Sequence, residues 1–170
     1  MDKHSWHSAL DVIDSALQVL PRTHHRLLLY KYRVLIKSKL GLSISMDMQK
    51  FREQGELALA KMWRQVAIMA KKREHVINGY QHAIATLQVK PFFLVEFQCE
   101  CCSSIQSLDN YWTKIDYILE LASWLFSNEY LIDNVVDLLD WTIDLLLTSP
   151  DAYQQQINEN AQETDSMKPN

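Results

Sequence analysis

A chain of 170 residues, 48% hydrophobic, is long enough to bury a core as one folded unit, and its three glycines and four prolines leave too little turn chemistry for a multi-stranded sheet. The net charge of −4 is divided unevenly: residues 1–108 carry 15 Lys and Arg against 9 Asp and Glu, a balance of +6, and residues 109–170 carry 2 against 12, a balance of −10. Polarity of this kind bears on association and orientation, and a negative chain with no recognition motif excludes nucleic acid as the expected partner.

In chain order, Leu10, Ile13, Ala16, Leu17 and Leu20 stand three and four apart and predict a helix that Pro21 stops. A second helix is predicted from Thr23 to Leu40, closed by Gly41. Ser45 is expected to cap a long third helix from Met46 to Ala70, with Met48, Phe51, Leu59, Met62, Trp63, Val66 and Ala67 on its buried side and Gly55 as a local weak point. Lys71, Lys72 and Arg73 form a basic hinge. Beyond it Val76, Ile77, Tyr80, Ala83, Ile84 and Leu87 predict a fourth helix ending near Gln88.

Residues 89–106 break the pattern with Pro91, an aromatic and β-branched cluster and three cysteines, and read as a loop or a stray strand. Helical spacing returns from Tyr111 to Asn128 through Ile115, Ile118, Leu119, Ala122, Leu125 and Phe126. It returns again from Leu131 to Leu147 through Val135, Leu138, Leu139, Ile143 and Leu146, with Asp133, Asp137, Asp140 and Asp144 on the solvent side. Past Pro150 the chain is almost devoid of apolar residues. The expected organisation is a helical domain over 1–148 with an irregular insertion at 89–106, followed by a disordered, acidic tail over 149–170.

Tetratricopeptide repeats pair two antiparallel helices over about 34 residues, with small residues where the helices cross closely. Ala9, Ile13, Ala16 and Pro21 reproduce the second-helix register of such a repeat. Trp63, Val66 and Ala67 fit a first-helix register, with Val76, Tyr80 and Ala83 as a somewhat early second helix. Ile118, Leu121, Ala122 and Leu125 fit another, with Val135, Leu139 and Thr142 one residue late. The expected fold is all-α, an α-solenoid fragment of antiparallel helical pairs. Repeat packing is assigned to Ala9, Ile13, Ala16, Pro21, Trp63, Ala67, Tyr80, Ala83, Ala122 and Leu139. Only eight residues precede Ala9, so the first helix of its repeat is missing and the chain reads as a piece of something longer or as one that a partner completes.

SALDVIDSALQVLPRT (Ser8 to Thr23), KSKLG with Ser45, Met46 and QKF (Lys37 to Phe51), MWRQVA (Met62 to Ala67), YQHAI (Tyr80 to Ile84) and the stretch Val135 to Leu146 together resemble the cilia- and flagella-associated protein 46 family, long tetratricopeptide-containing proteins. The resemblance covers residues 5–88 and 107–148, and it is carried by order and spacing, not by a catalytic box. It implies a structural component of the axonemal central apparatus of motile cilia, with other central-apparatus proteins and microtubules as partners and a cytoskeletal location in the cytoplasm and cilium. In that family pattern the two helices around 89–106 join almost directly. The 18 residues therefore read as an insertion, either a retained intron, for which Val89 can encode a splice donor and Gln106 an acceptor ending, or a surface loop.

The remaining chemistry is sparse. Cys99, Cys101 and Cys102 have no second ligand pair and no spaced histidines, so neither zinc nor a disulfide framework is expected, and a reducing compartment fits them. No run is apolar enough to span a membrane, and the polar start Met1 to Trp6 is not a signal peptide. No phosphate loop, nucleophile elbow or metalloprotease motif is present, so no enzyme activity, cofactor or small-molecule substrate is expected. The five tryptophans are read as inter-helix packing. Arg22, Arg26, Lys31, Arg33, Lys37 and Lys39 follow one another without an acid between them. This basic face, Arg22, Arg26, Arg33 and Lys37 above all, is either a solvated surface or a site for an acidic partner. Two functions remain: a scaffold of the ciliary axoneme, and a soluble cytosolic adaptor that captures peptide tails of client proteins in a tetratricopeptide-like groove.

Overall fold

The computed structural model describes residues 3–20, 24–88 and 103–148, and among them the regular structure is all α-helical: α1 Lys3–Val19, α2 His24–Leu40, α3 Ser45–Arg52, α4 Glu56–Met69, α5 Arg73–Thr86, α6 Ser103–Ser127 and α7 Ile132–Leu147. They divide into two compact units, Met1–Gln88 and Val89–Asn170.

In the first unit α1 packs on α2, α2 on α3 and α4, and α4 on both α3 and α5. Its core joins Val34 and Leu35 of α2, Met48 and Phe51 of α3, and Leu59, Met62 and Val66 of α4, with Leu27, Tyr30, Ile44, Trp63 and Met69 packed against them. The buried side expected for 46–70 is therefore the side that is used.

The long third helix is not continuous. Gly55 takes φ +112°, a conformation that side-chain-bearing residues rarely adopt, and divides the stretch into α3 and α4. The break lets α3 turn so that Met48 and Phe51 meet α2 and α4 together. Ser45 is the first residue of α3, not its cap: Ile44 occupies the cap position without a side-chain hydrogen bond, and its carbonyl accepts from the Asp47 and Met48 amides.

At the end of α2, Gly41 (φ +73°) donates its N–H to the Ser38 carbonyl and Leu42 donates to Lys37, the paired bonds of a Schellman motif. In the second unit α6 ends the same way with a residue less suited to it. Glu129 (φ +49°) donates to Phe126 and Tyr130 to Leu125. A left-handed glutamate carries a steric cost that glycine does not. Glu129→Gly is expected to stabilise the second unit by up to about 1 kcal/mol, read as a raised melting temperature, because the position is exposed and glycine adopts the left-handed conformation without the steric cost.

The second unit is an antiparallel pair. The Tyr111 hydroxyl donates to the Leu145 carbonyl and Lys114 lies 5.3 Å over the Trp141 ring, which sets the N-terminal half of α6 beside the C-terminal half of α7. Tyr111, Ile115, Ile118, Leu121, Ala122 and Leu125 of α6 are buried. Because α6 begins at Ser103, the last four positions of the expected insertion, 103–106, are helical; 89–102 and the tail from 149 lie outside the described residues.

Candidate functional site

The basic face is held internally. Asp47 of α3 is buried, 1% exposed. Its carboxylate accepts from Arg33 Nη1 at 2.7 Å and from Lys37 Nζ at 2.8 Å. Arg33 Nε also lies 2.7 Å from Asp14 Oδ1 of α1, outside hydrogen-bond angles, so that contact is an ion pair without a directed hydrogen bond. Arg26 donates to the Leu20 carbonyl and Lys39 to the Met69 carbonyl at the end of α4. Arg33, Lys37 and Arg26 thus tie α2 to its neighbours. The acids that pair with Arg33 and Lys37 come from α1 and α3, on either side of the basic run. Arg22 lies outside the described residues.

Among the repeat-packing residues, Ala9, Ile13 and Ala16 are half-buried in α1, Ala67, Tyr80, Ala83 and Ala122 are buried, and Pro21 lies outside the described residues. Trp63 is half-buried and stacks on His82 of α5, ring centroids 4.4 Å apart. A close approach of α4 and α5 passes through a residue the sequence analysis did not single out. A Cβ added to Gly79 would meet Ala67 Cβ at 2.7 Å and Ala67 Cα at 2.9 Å.

No protein-family model matches the chain, and no solved structure matches it. Among the described residues no group of His, Cys, Asp or Glu is arranged to hold a metal ion, and no helix is long and apolar enough to cross a membrane.

α7 carries a run of exposed apolar residues. The sequence reading placed Val135, Leu138, Leu139, Ile143 and Leu146 on one apolar face, whereas the helix divides them. Val135 and Thr142 are buried and Leu138 and Leu145 half-buried on the side that meets α6. Leu139, Ile143 and Leu146 are exposed with Ile132 and Val136, so Leu139 lies outside the helix-pair packing assigned to it. Asp133, Asp137, Asp140 and Asp144 are all exposed, as expected, along one flank of the outer stripe. Burial lowers the Lys114 ammonium below the usual lysine range.

Proposed function

We propose that this chain is a non-enzymatic, tetratricopeptide-like scaffold, a segment of an α-solenoid that works by protein–protein interaction in the central apparatus of the motile cilium axoneme. The observation that carries the architectural part is the close approach of Ala67 and Gly79. The repeat pattern places a small residue four positions after the first-helix tryptophan and another at the start of the second-helix register. Trp63 and Ala67 supply the first, and Gly79, Ala83, Thr86 and Pro91 supply the second, at the same intervals of four, three and five that separate Ala9, Ile13, Ala16 and Pro21. This register replaces the early one through Val76 and Tyr80.

The ciliary setting rests on the sequence resemblance. The scaffold role is supported by an exposed apolar stripe on α7, since contiguous apolar surface of this kind marks protein contact. The test is fractionation of tagged protein from ciliated cells: after detergent and salt extraction it is expected to remain with the axoneme and to co-purify with central-apparatus proteins. Recovery in the soluble fraction, bound to clients through their C-terminal tails, would favour the cytosolic adaptor.

A further inference from the structure

We propose that the outer stripe of α7 is a docking seam for one amphipathic helix whose apolar face is bordered by lysine or arginine. The proposal rests on the scaffold reading and names the partner chemistry of one of its faces.

Ile132, Val136, Leu139, Ile143 and Leu146 are spaced four, three, four and three apart, a seven-residue period that keeps one seam facing a partner helix along the whole of α7. All five are exposed, Val136 at 57% and Ile143 at 52%. They are not the stripe that meets α6, which runs through Val135, Leu138, Thr142 and Leu145. Val136 and Ile143 occupy the first core position of the heptad, and Leu139 and Leu146 the second. β-Branched residues alternating with leucine in this order favour pairing with a single helix.

Charge decides what that helix carries. The two flanks of the seam are unequal. On one side stand Val135 and Thr142, buried. On the other stand Asp133 and Asp140 directly beside the seam, with Asp137 and Asp144 one step further round, all exposed. A partner can therefore approach only over aspartate. Residues 109–148 hold eight Asp and Glu against one base, Lys114, and Lys114 is engaged with Trp141, so among the described residues of this unit no second base stands against that flank.

A second copy does not fit. Antiparallel copies would set Asp133 and Asp140 against their own counterparts, and parallel copies would need the flank that Val135 and Thr142 have already buried. An antiparallel helix bordered by lysine or arginine on the side that faces Asp133 and Asp140 avoids the like-charge contact and gains an attractive pair at each aspartate.

The experiment titrates the full chain with two synthetic helical peptides of about three heptads, identical in their apolar seam, one bordered by lysine and the other by glutamate. The lysine peptide is expected to bind at least about tenfold more tightly, with an affinity that falls as salt rises. Val136→Ser with Ile143→Ser should abolish binding of both peptides. Asp133→Asn with Asp140→Asn should remove the preference while retaining residual affinity. All four positions are exposed, and an unchanged helical circular dichroism spectrum verifies that the fold is intact.

Equal binding of the two peptides, binding indifferent to the serine pair, or sedimentation showing self-association that the serine pair abolishes would each overturn the proposal. Loss of axonemal partners in the serine variant, together with no preference between the peptides, would leave the scaffold reading standing and overturn this one.

Discussion

Asp47→Ala is expected to destabilise the first unit by about 2–4 kcal/mol, measured by denaturant unfolding followed by helical circular dichroism. Asp47 is 1% exposed and its carboxylate accepts from two cations on α2, so its removal takes the acid from Lys37 and leaves Arg33 with Asp14 alone. Both cations are partly open to water, with side-chain exposures of 25% and 17%, and rehydration keeps the cost below that of a fully enclosed pair. Asp47→Asn preserves the shape and removes the charge, and should cost nearly as much, because an amide cannot accept from both cations on two anionic oxygens. Lys37→Met is informative in both backgrounds. It should destabilise the native protein by roughly 1 kcal/mol, and be neutral or stabilising once Asp47 is gone, since the lysine is then an unpaired, half-buried charge. A cost below about 0.5 kcal/mol for Asp47→Ala would place the cluster among ordinary surface pairs.

Asp47 also shows why a run that reads as unneutralised in the sequence is partly neutralised in the fold. From Arg22 to Lys39 there is no acid, so the run reads as unneutralised. The neutralising groups, Asp14 and Asp47, lie beyond the stops at Pro21 and Gly41 and are brought in only when α1 and α3 fold back on α2. Interactions within one helix are visible as spacing, and those between helices are not. The same limit applies to α3 and α4. Their apolar positions, Met48 through Ala67, are legible as one helical stripe, and they do form one buried surface. The interruption depends on the φ of Gly55, and an isolated glycine inside a helical pattern is equally compatible with a tolerated defect.

The boundaries of α2 and α7 were legible because periodicity and terminating residues agree there, Gly41 most clearly, whereas α5 begins at Arg73, inside the expected basic hinge, and ends at Thr86. The face of α7 was legible only in part. With apolar residues on two adjoining stripes, the spacing identifies a helix but cannot say which stripe meets α6, and Thr142, a polar residue, turned out to mark the buried side while Leu139 marked the open one. The acidic flank was legible, since four aspartates at alternating steps of four and three can only share a face.

Gly79 is the packing residue the sequence analysis passed over, and its substitution is the second large effect expected. In an exposed helix interior, glycine to alanine stabilises by about 0.5–1 kcal/mol. At this site the sign should reverse. The new methyl would lie 2.7 Å from Ala67 Cβ, 2.9 Å from its Cα and 3.0 Å from its amide nitrogen. Two of these three atoms are backbone and cannot rotate aside, so α4 and α5 must separate, against the stack of Trp63 on His82 and the burial of Ala83. Gly79→Ala is therefore expected to cost about 1–3 kcal/mol, and Gly79→Leu more. Asn78→Ala, one position away and exposed, is the control and should be neutral or mildly stabilising. Ala67→Gly in the Gly79→Ala background removes the shortest contact, and should recover part of the loss even though Ala67→Gly alone destabilises α4. A Gly79→Ala protein as stable as the native chain, with no coupling to Ala67, would mean that the two helices do not cross at these residues and would remove the observation on which the tetratricopeptide-like reading stands.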